Sequence, residues 1–173
     1  MEKIPINYDV LIIGAGPAGA NAAISYKNLN PNLTVAIVDK AVFPRDKSCG
    51  DAIGPGVISA LKRFNNEHIL DGEPQVVSTT LYGPDNIGIQ NYIPEVKNKE
   101  DSIVYVIPRV DLDNRILDLA KECGVDVYEG YSFVDFTSNL DKSLNVQIKN
   151  ENENLEFLTK ILVGADGANS RIR

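Results

Sequence analysis

The opening of this chain constrains its fold more than any other feature. The run Tyr8-Asp9-Val10-Leu11-Ile12-Ile13 leads into Gly14-Ala15-Gly16-Pro17-Ala18-Gly19, and a second apolar run ends on Asp39. Strand, glycine turn, helix start, second strand and acid in that order specify a βαβ unit carrying a dinucleotide-binding fingerprint. Gly14 permits a tight turn out of the strand, Gly16 lets the backbone approach a pyrophosphate, and Gly19 lets the helix lie close to the sheet. Pro17 suits the first helical turn, where its missing N–H would have no partner. The free amides and positive end of that helix then face the phosphates, with Ala15, Pro17 and Ala18 completing the binding turn.

Asp39 stands 20 residues beyond Gly19, where a carboxylate can accept both hydroxyl protons of an adenosine ribose. An acid here also disfavours a ribose 2′-phosphate, and the adjacent Lys40, a cofactor-binding candidate beside Asp39, does not alone cancel that repulsion.

At 173 residues the chain has the length of one domain or part of a larger one, and its 43% hydrophobic content is that of a packed core. A net charge of −7 argues against nucleic acid as a partner, since phosphate attraction needs a basic face. No basic and apolar leader opens the chain, and no apolar run approaches the roughly 20 residues needed to span a bilayer. A cytoplasmic protein is therefore expected, with peripheral membrane contact left open. Cys49 and Cys123 provide neither a disulfide framework nor metal spacing, and the sole histidine, His68, reads as a solvated residue. Hydrolytic chemistry has no histidine-based system to use.

Apolar periodicity predicts a helix over 17–29, a second from Pro55 with Val57, Ile58, Leu61 and Phe64 on one side, and a third capped by Asp111. The third carries Leu112, Ile116, Leu119, Ala120 and Cys123 on one face, making Cys123 a small core residue, and Gly124 ends it. Residues 76–82 and 87–92 flank Gly83-Pro84-Asp85-Asn86 as an antiparallel hairpin. A charged loop over 95–102 and a strand over 102–107 follow. A strand over 125–128 precedes a β-meander of 131–137, 144–149 and 155–163.

The chain closes on Gly164-Ala165-Asp166-Gly167-Ala168-Asn169-Ser170-Arg171-Ile172-Arg173, which read alone is any polar turn. Phe43-Pro44-Arg45-Asp46-Lys47-Ser48-Cys49-Gly50-Asp51 likewise reads alone as a charged loop, with Cys49 either reactive or an inert thiol. Together with the N-terminal fingerprint and Pro108-Arg109-x-x-Leu112-Asp113, these segments resemble the N-terminal half of the geranylgeranyl reductase family. That family lies within the p-hydroxybenzoate hydroxylase-like FAD enzymes. The first and last motifs belong to the larger group, and the Cys49 segment points to the reductases within it.

The resemblance spans the chain and implies an α/β fold. In it, a Rossmann-like FAD-binding βαβ sheet is joined by an antiparallel β-meander and an inserted β-hairpin. Residues 1–173 would be the N-terminal part of an FAD-binding domain, with about 74–106 starting the substrate-side sheet and 131–163 forming the meander. Gly14, Gly16 and Gly19 would hold the FAD pyrophosphate and Asp39 the ribose. Arg45 and Arg109 would lie along the phosphates and ribityl chain. Cys49 and Gly50 would approach the flavin, making Cys49 the catalytic candidate. Phe133 would meet the adenine through its backbone, and Asp166, with Gly167, would lie near the pyrophosphate. Asp166 is also linked in this group to nicotinamide binding.

The implied activity is FAD-dependent reduction of isoprenoid carbon–carbon double bonds, with NAD(P)H or another donor reducing the flavin. An aromatic monooxygenase of the same fold and a non-catalytic nucleotide-binding module are the alternatives. These families also need a later Gly-Asp-Ala motif and further substrate-binding elements. The chain as it stands is therefore expected to bind FAD weakly and to be inactive alone.

Overall fold

A computed structural model describes residues 5–92 and 104–172. In chain order the elements are β1 (Ile6–Ile13), α1 (Pro17–Leu29), β2 (Val35–Asp39), β3 (Ala52–Ile53), α2 (Pro55–Lys62), β4 (Ser78–Tyr82), β5 (Gly88–Tyr92), β6 (Tyr105–Val106), α3 (Arg109–Glu122), β7 (Asp126–Glu129), β8 (Ser132–Ser138), β9 (Leu144–Lys149) and β10 (Asn154–Gly164), with a 3₁₀ turn at Glu67–Leu70. They fall into two compact units, Met1–Asp46 with Asp113–Arg173, and Lys47–Leu112.

The first unit is built on a six-stranded sheet in the order β7-β2-β1-β10-β9-β8. Strands β7, β2, β1 and β10 are parallel neighbours, and β9 and β8 continue the sheet antiparallel. The meander foreseen over 131–163 is thus β8–β9–β10, but its last strand does more than close it. Strand β10 runs alongside β1 from Ile6↔Phe157 to Ile13↔Gly164. The two motif-bearing ends of the chain are thereby laid side by side.

Helix α1 packs on β1 and β2, and its buried residues are Gly19, Ala20, Ala23 and Ile24, small side chains that let a helix approach a sheet closely. The strands β1 and β2 carry the near-continuous apolar runs of a doubly covered parallel sheet, with Val10, Leu11, Ile12, Ala36, Ile37 and Val38 fully buried. A cluster of Tyr8, Leu11, Ile13, Phe133, Val146, Ile148 and Phe157 draws β1 and the meander into one core.

In the second unit β3 pairs antiparallel with β6, and β4 with β5. The expected hairpin is present, its first strand shortened by two residues and its second by one at their starts, with Asn86 at φ +61° in the turn. Helix α2 buries Ile58 and Leu61, whereas Val57 is exposed and Phe64 half-buried, so its apolar stripe is narrower than the sequence pattern. The strand foreseen over 102–107 reduces to Tyr105–Val106 among described residues, and the charged loop over 95–102 lies outside them. His68 sits exposed on the 3₁₀ turn.

Two further expectations are corrected. Helix α3 begins at Arg109 rather than behind an Asp111 cap: Asp111 lies in the first turn, its N–H donating to the Pro108 carbonyl at 3.0 Å. The Pro108 carbonyl also accepts the Leu112 N–H at 3.0 Å, which closes the first turn earlier, and the acid still favours the helix's positive end. Cys123 is half-buried rather than a core residue, because Gly124 at φ +80° turns the chain away directly after it.

Candidate functional site

Each unit carries its own group of candidate residues. In the first, the glycine turn sits at the carboxyl ends of the parallel strands, where open α/β sheets bind ligands. Its three glycines answer different demands. Gly14 has φ +110°, and a Cβ there would lie 2.3 Å from the Ala165 carbonyl oxygen. Gly19 could not carry one either, since it would fall 1.8 Å from the Gly14 oxygen. Both are glycine because β1, α1 and the segment after β10 converge there, with Ala165 N–H donating to Ile13 at 2.8 Å.

Gly16 is different. It is the N-cap of α1 with φ −65°, and a Cβ would meet only the tip of the Arg45 side chain, at 3.4 Å. Nothing within the unit demands glycine at this position. The space a side chain would take is left to something outside the fold, beside a helix end with no side-chain cap and no acid in its first turn. Uncapped amides, a positive helix end and a vacant Cβ position suit a phosphate group.

Asp39, at the tip of β2, accepts the Ala15 N–H on Oδ2 at 2.7 Å and the Ala41 N–H on Oδ1 at 2.8 Å. The carboxylate that was expected to take a ribose also shapes the turn, and each oxygen keeps a second lone pair for a hydroxyl. The neighbouring Lys40 is exposed. Arg45 places Nη2 beside Gly16, rests its guanidinium 4.8 Å from the centre of the Phe43 ring, and sets Nη1 3.2 Å from Asp113 Oδ2. Asp113 is completely buried.

Asp166 and Gly167 follow β10 directly. Asp166 Oδ2 accepts the Arg171 N–H at 2.8 Å, and Gly167 turns the chain at φ +88°. With Gly164, Ser170 and Ile172 they line a hollow of about 250 Å³. Phe133 lies on β8 with its ring in the core, which leaves its backbone as the part able to meet a ligand. The sheet therefore gathers Gly14, Ala15, Gly16, Pro17, Ala18, Gly19, Asp39, Arg45 and the residues after β10 around one strand end, with Phe133 on its far edge.

Cys49, Gly50 and Arg109 come together in the second unit. Cys49 is exposed, and its thiol is drawn below its ordinary range, first by the Asp51 backbone N–H and next by the Arg109 side chain. Gly50 would accept a Cβ without touching anything. Asp51, at φ +55°, is the clasp of this group. Its carbonyl takes the Ile107 N–H at 2.9 Å, and its Oδ1 takes the Arg109 N–H at 3.3 Å at the head of α3.

Sequence reasoning quoted Asp51 and Asp113 within motifs but gave neither a role. Asp113 did leave a signal, an acid beside Leu112 on a helix whose inward positions are Leu112, Ile116, Leu117, Leu119 and Ala120.

A family model described as "FAD binding domain" matches residues 7–173. The chain belongs to this family. This FAD-binding domain is 30% identical over 164 residues to a menaquinone reductase of Mycolicibacterium smegmatis, covering 95% of this chain and 38% of that protein. It is 29% identical over 170 residues to a geranylgeranyl diphosphate reductase of Rhodobacter capsulatus, covering 97% and 39% respectively. The chain thus spans about two-fifths of the length of these relatives. Among solved structures, a p-nitrophenol 4-monooxygenase of Pseudomonas putida superposes with a TM-score of 0.84 over 98% of this chain and 43% of that one, at 14% identity. That likeness is one of fold, and it agrees with the Rossmann-like sheet described above.

Proposed function

We propose that this FAD-binding domain serves a flavin-dependent oxidoreductase that reduces carbon–carbon double bonds of an isoprenoid lipid. The vacancy at Gly16, facing the uncapped end of α1 and the Arg45 guanidinium, is the observation that carries the cofactor reading. Support for the substrate comes from the segment from Phe43 to Asp51 and from the relative named geranylgeranyl diphosphate reductase. When bound, a flavin supplies hydride transfer, and the protein supplies placement and electrostatics. Gly16 and the start of α1 bind the pyrophosphate, Arg45 neutralises it, and Asp39 orients the ribose while holding the turn in shape. Cys49, whose thiol the Asp51 amide and Arg109 draw down, is the residue that would face a flavin ring in this reading. NAD(P)H or another donor would supply the electrons.

Among the described residues no helix is long and apolar enough to cross a membrane.

The test is to express the gene's complete reading frame and incubate it anaerobically with a reductant and a geranylgeranyl lipid. Bound flavin absorbance, together with loss of substrate double bonds by mass spectrometry, is the expected result. Oxygen consumption stimulated by a phenol, with no reduced lipid, would replace the reductase reading by a monooxygenase. A colourless, folded protein would remove the flavin.

A further inference from the structure

We propose that Asp113 is a positioning residue for diphosphate binding, holding the Arg45 guanidinium against the amino end of α1 before any anion arrives. The proposal rests on the cofactor reading above and extends it to a residue with no expected ligand contact of its own.

A guanidinium beside an uncapped helix N-terminus is like meeting like, because the amide donors there carry partial positive charge. Helix α1 offers no relief, having no acid in its first turn and no capping side chain. Without an anion Arg45 should swing into water, where a guanidinium is better solvated. It does not. Its Nη1 is buried 3.2 Å from Asp113 Oδ2, the Phe43 ring supports its face at 4.8 Å, and Nη2 is left beside Gly16.

Asp113 itself is 0% exposed, on the inward side of α3 next to Leu112, Ile116 and Leu117. A buried ion pair seldom improves on a well-packed apolar pair, because desolvation of both charges offsets their attraction. Stability alone would favour an aliphatic residue here. A charge at position 113 does act on Arg45, holding its Nη1 at 3.2 Å. The contact is also off-axis, since Nη1 makes no aligned hydrogen bond among the described residues. Arg45 is therefore held in place without its donors being saturated, and Nη2 remains for a phosphate oxygen.

The experiment is a double-mutant cycle on Arg45→Met and Asp113→Asn, read by calorimetric titration of the chain with ADP and, separately, adenosine. Arg45→Met and Asp113→Asn should each weaken ADP about tenfold or more, the scale of one charge-assisted bond. The double variant should lose no more than Arg45→Met alone, and adenosine affinity should stay within about twofold throughout. An Arg45→Met/Asp113→Leu pair should melt at or above the wild-type temperature while still losing ADP. A structural role alone would not produce that split. Should Asp113→Asn fail to fold, Asp113→Glu keeps the charge but displaces it by one methylene, and it too should lose ADP selectively.

Wild-type ADP binding with no loss in the folded Asp113 variant, or losses that add in the double variant, overturns the positioning role and leaves the cofactor reading intact. A wild-type chain that binds ADP no better than adenosine overturns both.

Discussion

Gly16→Ala separates what the glycine turn does for the fold from what it does for a ligand. The backbone at Gly16 is at φ −65° and ψ 178°, a conformation open to alanine, and the added Cβ meets only Arg45 Nη2 at 3.4 Å. Replacing an N-cap glycine by alanine costs about 0.5–1 kcal/mol. For a domain of this size that is a fall in Tm of roughly 1–4 °C. The ligand faces a larger penalty. A methyl group at the start of α1 takes the space through which a phosphate reaches the amides, and losing two charge-assisted bonds at about 1.5–3 kcal/mol each weakens FAD about 10²- to 10⁴-fold. Gly19→Ala should do the opposite, because its Cβ would lie 1.8 Å from the Gly14 carbonyl oxygen and backbone must move. That variant should lose several kcal/mol or fail to fold. Circular-dichroism melts and titration of flavin fluorescence measure the two effects independently. If Gly16→Ala binds FAD within about threefold of wild type, or Gly19→Ala melts like wild type, the division of roles among the glycines is wrong.

Three other outcomes are expected. The Tyr8 hydroxyl donates to Asp126 at 2.7 Å and lies 3.0 Å from the Tyr128 hydroxyl, and burial, with those bonds, pushes its pKa far above the ordinary tyrosine range. Tyr8→Phe should cost about 1 kcal/mol and lower Tm by roughly 2–4 °C, and an unchanged melt would show that the bonds contribute nothing. Asp9 is held down at about 2 by the Lys160 ammonium at 2.8 Å and by Thr34. Because its folded pKa is depressed, this contribution is complete above the unfolded value near pH ~3.9 and fades as pH falls toward about 2. Lys160→Met should flatten that acid limb of the stability curve, as should added salt, since the lysine is largely exposed. An unaltered limb would assign it to other carboxylates. For Cys49, the pH midpoint of iodoacetamide alkylation should lie below that of a free thiol and rise in Arg109→Met, because that side chain favours the thiolate. Equal midpoints would remove Arg109 from the account.

Local pattern carried much of this fold. Helix α1 occupies residues 17–29 and β9 residues 144–149, as their periodicity and flanking turns specify. What local pattern could not carry is pairing at a distance. No window around residues 155–163 announces that they lie parallel to β1, because the partner is far away in sequence. Two-residue strands such as β3 and β6 hold no measurable period. The start of α3 differs because Asp111 is a good capping residue in isolation, whereas the first turn closes on the carbonyl of Pro108, three positions earlier. At the site, the motif residues were legible because each glycine or acid answers a demand of the backbone. Their supports were not: Phe43 beneath Arg45, Asp113 behind it and Asp51 at the head of α3 depend on which loop returns to which element.

The pairing of Ile13 with Gly164 also governs when this protein can become competent during synthesis. Ala165 closes against Gly14 and donates to Ile13, so the N-terminal crook cannot settle until β10 has emerged and docked beside β1. Contacts of such long sequence separation form slowly and after local ones. A nascent chain stalled before β10 would display a finished helix and no grip on a nucleotide, and coenzyme capture would require the arrival of β10 and not of β1 alone.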